Sequence, residues 1–258
     1  MKISIVTPSY NQGQFIEDAI LSVLNQNYLD FEHIIIDGGS SDNTLDVLKR
    51  YPHLKWMSEP DEGQSDALNK GFMKATGDII GWLNSDDYYL PNIFDKVYNN
   101  LKSDSVDAIY SNCIFVDKQK NYKRNLLSHR PIRWLSLFHC YIPSTTFFFK
   151  RKIIDSGISI DKTFHIAMDK DFFANIFYSG YKVNYFDDFF AFFRWHDNNK
   201  SIDSIEVQKI RYSEGLRVLN KHFCVKIPIN FFTTNLYKFH VKFFLIIRFF
   251  LKKMRKLR

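Results

Sequence analysis

The first hundred residues alternate short apolar runs with stretches of helical periodicity, and this alternation restricts the fold more than any other feature of the sequence. The predicted strands span residues 3–7, 33–36, 54–57 and 79–83, and the predicted helices span 15–24, 44–51 and 64–75. Strands separated by helices of this length imply right-handed crossovers and a mainly parallel sheet. The sequence therefore predicts an α/β fold.

Polar residues follow each of the four predicted strands. They are Ser9, Tyr10 and Asn11, then Asp37, then Glu59, Asp61 and Gln64, and finally Asp86 and Asp87. In an open α/β sheet the carboxyl ends of the strands form the ligand-binding edge. An aromatic ring there could stack on a base, and paired carboxylates could hold Mg²⁺ or Mn²⁺ on a diphosphate. Taken singly, each could also be an ordinary turn or surface residue.

Composition limits the class of protein. Of the 258 residues 45% are hydrophobic and 17% aromatic, which excludes a disordered chain, and the net charge of +7 favours an anionic partner. Three widely spaced cysteines (113, 140 and 224) fit neither a disulfide framework nor a zinc site. We see no secretory signal and no apolar run long enough to cross a membrane. A cytoplasmic location is therefore expected.

The second half contains the other candidate chemical groups. Strands are predicted at 108–110, 113–116, 145–149 and 189–193. Asp169 and Asp171 directly precede an apolar helical pattern, so either could cap that helix, or one could act as a catalytic base. His196 follows the last predicted strand, where it could serve a ligand or simply complete a local hydrogen bond.

The segment 238–258 combines aromatic and aliphatic residues with many lysines and arginines. At helical spacing most cations fall on one face and most large apolar residues on the other. Such a helix binds the interface of an anionic membrane. The alternative is a helix packed on the domain with a solvated basic face. The density of aromatic residues disfavours nucleic acid as the partner.

Three ordered segments carry a resemblance to a known family. Residues 6–11 (VTPSYN), 22–26 (SVLNQ) and 36–44 (IDGGSSDNT) resemble glycosyltransferase family 2, and the acids of 85–87 (SDD) stand where that family places its metal-binding motif. The resemblance implies a GT-A fold and inverting transfer of a sugar from a nucleotide-diphosphate donor, with a UDP-sugar expected. It further implies a domain at 1–222, with a nucleotide-sugar half at 1–100 and an acceptor half at 101–222, before a basic extension at 223–258.

The resemblance assigns roles to individual residues. Those expected to bind the nucleotide sugar are Pro8, Tyr10, Asn11, Asp37, Asp61, Asn69 and Asp86. Asp87 and His196 are expected to bind Mn²⁺ or Mg²⁺, with Asp86 on the ribose or the diphosphate. Asp169 is the expected base, although Met168 replaces the glutamate that normally precedes it, and Asp171 is expected to support it. Ala191 replaces the glutamine of processive synthases, which favours a non-processive enzyme.

The expected acceptor is a saccharide, in particular a lipid-linked one used in bacterial surface polysaccharide assembly at the inner face of the cell membrane. Two other functions remain open from the sequence. A nucleotidyltransferase that forms nucleotide sugars would need a glycine-rich basic loop after the first strand, and residues 8–15 contain one glycine and no lysine or arginine. A catalytically silent nucleotide-sugar-binding protein would keep the binding residues without using Asp169 as a base.

Overall fold

The computed structural model describes residues 1–197, 199, 204–223, 227–230, 233–241 and 243. The strands are β1 Ile3–Ser9, β2 Phe31–Asp37, β3 Lys55–Ser58, β4 Ile79–Trp82, β5 Tyr88–Tyr89, β6 Ala108–Val116, β7 Tyr122–Leu126, β8 Phe148–Lys150 and β9 Val183–Arg194. The helices are α1 Ile16–Leu24, α2 Thr44–Lys49, α3 Gln64–Lys74, α4 Ile93–Leu101, α5 Lys152–Asp155, α6 Met168–Tyr178 and α7 Ile205–Phe223. Residues 233–241 are also helical.

The described strands form one sheet in the order β3-β2-β1-β4-β8-β6-β9-β5, and β7 pairs with β6 at its side. Strands β1 to β4 are mutually parallel, as the strand–helix alternation of the first hundred residues predicts. The second half is mixed, because β8 runs antiparallel to both β4 and β6 while β9 runs parallel to β6. The predicted α/β class is confirmed.

The strand predictions of the second half need three corrections. The runs 108–110 and 113–116 belong to a single strand, β6, whose pairing with β9 shifts register around Asn112. The predicted strand at 145–149 begins instead as a 3₁₀ turn, Ser144–Thr146, and only Phe148–Lys150 pairs in the sheet. Strand β9 begins at Val183, six residues before the predicted start. The prediction was too short because Asp187 and Asp188 interrupt the apolar run on which it was based.

Helix α6 packs against the sheet through a cluster of aromatic residues. The ring of Phe172 on α6 lies 5.9 Å from that of Phe72 on α3 and 5.6 Å from that of Phe149 on β8. All three are fully or almost fully buried. Burying a side chain of this size stabilises the fold by about 1.5–3 kcal/mol, so the start of α6 is held firmly relative to α3 and β8. This placement brings the predicted base Asp169 to the sheet edge.

The short strand β5 follows the acidic pair at once and joins the two halves of the chain. Tyr88 pairs with Phe192 and Tyr89 with Ala191, both on β9. This pairing brings the end of β9 alongside Asp86 and Asp87. A strand of two residues gives no readable period, and the sequence did not predict it.

In the described part of the chain, no helix is both long and apolar enough to cross a membrane. Helix 233–241 packs on the domain through Tyr237, which is 5% exposed. Most of the predicted amphipathic segment, Lys242 and 244–258, lies outside the described residues.

Candidate active site

A cavity of about 780 Å³ opens at the carboxyl ends of β1, β2 and β4 and reaches the start of α6. Five of the predicted site residues line it: Pro8, Tyr10, Asp61, Asp86 and Asp169. They come from four separate stretches of sequence, and the parallel order of β1, β2, β3 and β4 is what gathers the first four. The lining thus joins the predicted binding half of the chain to the predicted base.

Asn11 and Asp37 shape the loops beneath this cavity and are not among its lining residues. Asn11 has a positive φ of 52°, and its Oδ1 accepts a hydrogen bond of 2.9 Å from the Ser41 amide. Asp37 is fully buried and accepts bonds from the amide of Ser40 at 2.9 Å and the hydroxyl of Ser58 at 2.7 Å. Both side chains therefore join neighbouring loops of the sheet edge.

One wall of the cavity combines an aromatic ring with a carboxylate. Tyr10 is 62% exposed, so its ring is available for stacking. Asp61 lies against Gly38 so closely that a Cβ at residue 38 would come within 2.8 Å of Asp61 Oδ2. The glycine therefore makes room for the Asp61 carboxylate, whose other oxygen accepts a 2.8 Å bond from the Gly63 amide.

Asn69, like Asn11 and Asp37, lies outside the cavity lining. Its Nδ2 donates to the carbonyl of Ile160 at 2.8 Å, and its Oδ1 accepts from the amide of Ile160 at 2.9 Å. The side chain is absent from the cavity lining. Because both its polar ends are used by one backbone residue, Asn69 fastens α3 to the segment before α6.

The two adjacent acids after β4 have opposite environments. Asp87 is fully buried, and its two oxygens accept bonds of 2.9 Å from Asn84 Nδ2 and from the Arg194 amide. Burial, followed by the charge of Asp86, holds the pKa of Asp87 well above its usual value. Asp86 instead lines the cavity. The sequence assigns the metal to Asp87 and the ribose or diphosphate to Asp86; in the structure Asp86 is the one of the two that lines the cavity.

Asp86 is paired with His196 across the junction of β5 and β9. His196 Nε2 lies 3.0 Å from Asp86 Oδ2, and Asn199 Nδ2 donates to the same oxygen at 3.2 Å. The imidazole packs on the ring of Phe15, with 4.7 Å between ring centroids. His196 is nearly buried, so the pairing is held in a fixed orientation behind the cavity surface.

The donor set at this position fits a hard or borderline divalent cation. Among the described residues, no group of three or more His, Cys, Asp or Glu side chains is arranged to hold a metal ion. Mg²⁺ is nevertheless commonly bound by one or two carboxylates together with substrate phosphates and water. The Asp86 carboxylate and the His196 imidazole provide two ligands of the right chemistry, and a diphosphate could complete the coordination.

Asp169 lies at the first turn of α6 and faces the cavity. Its Oδ1 accepts a 2.6 Å bond from the Lys170 amide, and its Oδ2 is 3.6 Å from the thiol of Cys140. Burial raises the pKa of Asp169 above its usual value. A carboxylate with a raised pKa accepts protons more readily, which suits a general base.

Lys170 and Asp171, which follow Asp169 on α6, do not line the cavity. Lys170 is buried against the hydroxyl of Tyr237, and burial lowers its pKa to about 7. Asp171 is fully buried and forms a 2.8 Å ion pair with Lys221 of α7. Asp171 thus supports α6 from behind, and Asp169 is the acid of this pair that reaches the cavity.

Sequence reasoning missed three residues that hold the acid pair. Asn84 accepts from the indole of Trp82 at 2.9 Å and donates to Asp87, while Asn199 and Phe15 fix Asp86 and His196. Two of these residues lie close in sequence to the groups they hold. The position of Asn84 two residues before Asp86, and of Asn199 three residues after His196, is the signal that could have identified them.

The fold and the site are those of a glycosyltransferase, and comparisons with known proteins identify the family. The sequence profile described as Glycosyl transferase family 2 matches residues 4–177. The chain therefore belongs to glycosyltransferase family 2.

One relative and two solved structures illustrate the similarity. The chain is 35% identical over 114 residues to the chondroitin synthase of Pasteurella multocida, a match that covers 42% of the chain and only 12% of that protein. It superimposes on S. aureus TarS in complex with UDP-GlcNAc with a TM-score of 0.68 at 17% identity, covering 87% of this chain and 73% of that one. A mannosyltransferase from Pyrobaculum calidifontis, in complex with GDP-Man and Mn²⁺, gives a TM-score of 0.66 at 17% identity, covering 93% and 69%.

Proposed function

We propose that this chain is a metal-dependent, inverting glycosyltransferase that moves a sugar from a UDP-sugar to a hydroxyl of a saccharide acceptor. One observation carries the proposal: Asp86, paired with His196, and Asp169 line one cavity although they come from distant parts of the chain. Group transfer from a nucleotide sugar needs a site for the anionic leaving group and a base for the attacking hydroxyl. The cavity supplies a candidate for each.

The roles of the residues follow from their positions. Asp169 accepts the proton of the acceptor hydroxyl as that oxygen attacks the anomeric carbon. The bond to the nucleoside diphosphate breaks in the same displacement, which inverts the configuration. Asp86 and His196 are the residues that would hold Mn²⁺ or Mg²⁺, and the ion, when bound, stabilises the charge of the departing diphosphate. Asp87 does not contact the ion in this proposal and instead fixes the turn that presents Asp86.

The nucleoside would occupy the wall formed by Pro8, Tyr10 and Asp61. The exposed Tyr10 ring offers a stacking surface, and the Asp61 carboxylate offers an acceptor for a base N–H or a ribose hydroxyl. Asn11 and Asp37 contribute by fixing the loops that carry this wall. The UDP-GlcNAc complex of TarS supports uridine as the base, and the GDP-Man complex of the archaeal neighbour gives guanosine as the competitor to be tested.

We place the acceptor among saccharides used in bacterial surface polysaccharide assembly, in particular lipid-linked ones. The similarity to a chondroitin synthase supports a saccharide acceptor. Membrane proximity is supported by helix 233–241, where Leu236 and Phe239 are about half or more exposed on one face. The lysines and arginines of 242–258 complement anionic lipid, so we propose peripheral attachment to the inner face of the cell membrane.

A thermal-shift panel tests the proposal directly. UDP-, GDP- and dTDP-sugars are added with and without Mn²⁺, because a ligand that binds the native state raises the melting temperature. We expect the largest shift with a UDP-sugar and Mn²⁺ together. A chain that shows no metal-dependent shift with any of the three nucleotides would not be a metal-dependent transferase of this kind.

A further inference from the structure

Three consecutive backbone amides just before α6 all donate to one buried side chain of α7. The amides of His165, Ile166 and Ala167 lie 2.8, 2.9 and 2.8 Å from the carboxylate oxygens of Glu214. Glu214 is only 4% exposed. No motif marked this residue in the sequence, where it appears as one charge in the middle of a helix.

The contact supplies what the start of α6 lacks. The first amides of any helix have no partner within the helix and need an external acceptor. Ala167, at the N-cap position of α6, has no side chain that could accept a bond. Of the three amides that Glu214 binds, that of Ala167 is one of these helix-start donors, and those of His165 and Ile166 belong to the segment before it. The carboxylate also places a negative charge near the N-terminus of α6, which the helix dipole favours.

Helix α7 is held in register for this contact by two further residues of the same face. Arg217, three positions after Glu214, donates to the carbonyl and the hydroxyl of Thr163 at 3.0 and 2.6 Å. Lys221, four positions further on, pairs with Asp171 at 2.8 Å. One face of α7 therefore contacts both the segment before α6 and the first turn of α6 itself.

Two of the three residues whose amides donate to Glu214 line the cavity. His165 and Ile166 line it directly, and Asp169 follows Ala167 by two residues. On the basis of the proposed function, we infer that Glu214 is a positioning residue: its carboxylate sets the path of residues 165–167 and thereby the placement of the Asp169 carboxylate against the acceptor. It contacts no substrate, and the donor wall around Tyr10 lies on other elements.

The test compares Glu214→Gln with the matched control Glu206→Gln. The first change leaves one acceptor oxygen for three amides, and the second removes the same charge from an exposed position in the first turn of α7. We expect Glu214→Gln to lower kcat by about tenfold or more with the donor KM unchanged, because misplacing a base affects the chemical step. Glu214→Asp keeps the charge on a shorter side chain and should fall between Gln and wild type, while Glu206→Gln should behave as wild type.

Hydrogen exchange measured on the same proteins separates this inference from the proposed function. The amides of 165–167 should exchange faster in Glu214→Gln while those of α7 stay protected, whether or not a transferase activity is found. If Glu214→Gln does not fold, the exchange and the kinetics are measured on Glu214→Asp. Unchanged protection of 165–167, or equal losses in kcat and donor affinity, would overturn the positioning role; absence of transfer by the wild type would instead contradict the proposed function.

Discussion

At the scale of single residues, neighbours in the sequence have separate functions because the turn after β4 directs them differently. Asp86 meets the cavity, and Asp87 turns into the core to accept bonds from Asn84 and Arg194. Asp169 and Asp171 divide in the same way, one facing the cavity and one facing Lys221. A sequence shows that such pairs are present, but the direction of each side chain depends on partners far along the chain.

The acid pair gives the first prediction. Asp86→Asn should abolish the Mn²⁺-dependent part of the thermal shift with a UDP-sugar and lower transfer by about 10²-fold, because it removes a charged ligand. Asp87→Asn should mainly lower the melting temperature, by several degrees, because asparagine has one acceptor oxygen for the two donors, Asn84 Nδ2 and the Arg194 amide, and a lost buried bond costs about 1–3 kcal/mol. If Asp87→Asn instead loses the metal-dependent shift and Asp86→Asn keeps it, Asp87 rather than Asp86 is the metal ligand.

The base gives the second prediction. Asp169→Asn should keep the thermal shift with donor and metal but lose transfer by about 10²-fold or more. In the wild type, activity should fall as the pH drops through the raised pKa of Asp169, because only the ionised carboxylate accepts a proton. Transfer by Asp169→Asn at the wild-type rate would remove this residue from the mechanism and favour a different base.

The same variant has an opposite effect on stability. Burial raises the pKa of Asp169 in the folded state. Ionisation of Asp169 therefore destabilises the folded protein at pH values above that raised pKa. Below the pKa that Asp169 has in the unfolded chain, the carboxyl is protonated in both states and has no such effect. Asp169→Asn should therefore melt at a higher temperature than wild type near about pH 8, with the difference shrinking towards about pH 4. Asp171→Asn provides the contrast, since it breaks the ion pair with Lys221 and should lower the melting temperature at neutral pH.

At the scale of elements, the loops that line the cavity are joined to each other by charge. Lys162, in the segment before α6, contacts Asp66 of α3 and Glu62 of the loop after β3 at 2.5 and 3.2 Å. The hydrogen bond from Lys162 is the largest cause that lowers the pKa of Asp66 to about 2. The loop that carries Asp61 is thereby tied to the segment that leads to Asp169.

The third prediction concerns removal of the ion pairs that Lys162 forms with Asp66 and Glu62. Asp66, with its depressed pKa, stabilises the fold above its unfolded pKa, and that stability is lost as the pH falls towards about 2. Lys162→Met should lower the melting temperature at neutral pH by about 2 °C, because Lys162 is partly exposed and such pairs are weak. The loss should disappear in acid. Lys74→Met, which removes a charge from the last turn of α3, is the matched control and should leave the melting temperature unchanged.

At the scale of the whole molecule, the sequence predicted the first half far better than the second. Strands β1 to β4 are read from local periodicity and pair in parallel through short crossovers, so their polar ends must meet. The pairing of β5 with β9 and the contact of Glu214 with residues 165–167 join positions about 50 to 100 residues apart, which no local pattern encodes. That is why Asp86 and Asp169 could be identified as candidates, while the orientation of Asp87 and the role of Glu214 could not.

Helix 233–241, which follows α7, is the part of the described structure that we propose lies at the membrane. It has two apolar faces. Tyr237 is buried on one face, where its hydroxyl donates to the carbonyl of Leu137 at 2.7 Å and contacts Lys170, and its ring fits against Gly215. Leu236 and Phe239 form the other face and remain exposed. The first face fastens the helix to the domain beside α6, and the second leaves apolar surface for lipid.

These two faces should respond differently to substitution, which gives the last prediction. Replacing Leu236 and Phe239 together by serine should release the protein from anionic vesicles while leaving its melting temperature and its transfer to a water-soluble acceptor unchanged. Tyr237→Phe should do the reverse: it keeps vesicle binding but lowers the melting temperature by several degrees, because Lys170 and Leu137 lose a buried partner. Vesicle flotation and thermal melts distinguish the two. If the double variant binds vesicles as wild type does, the exposed face is not the lipid-binding surface, and the basic residues of 242–258 alone would have to account for attachment.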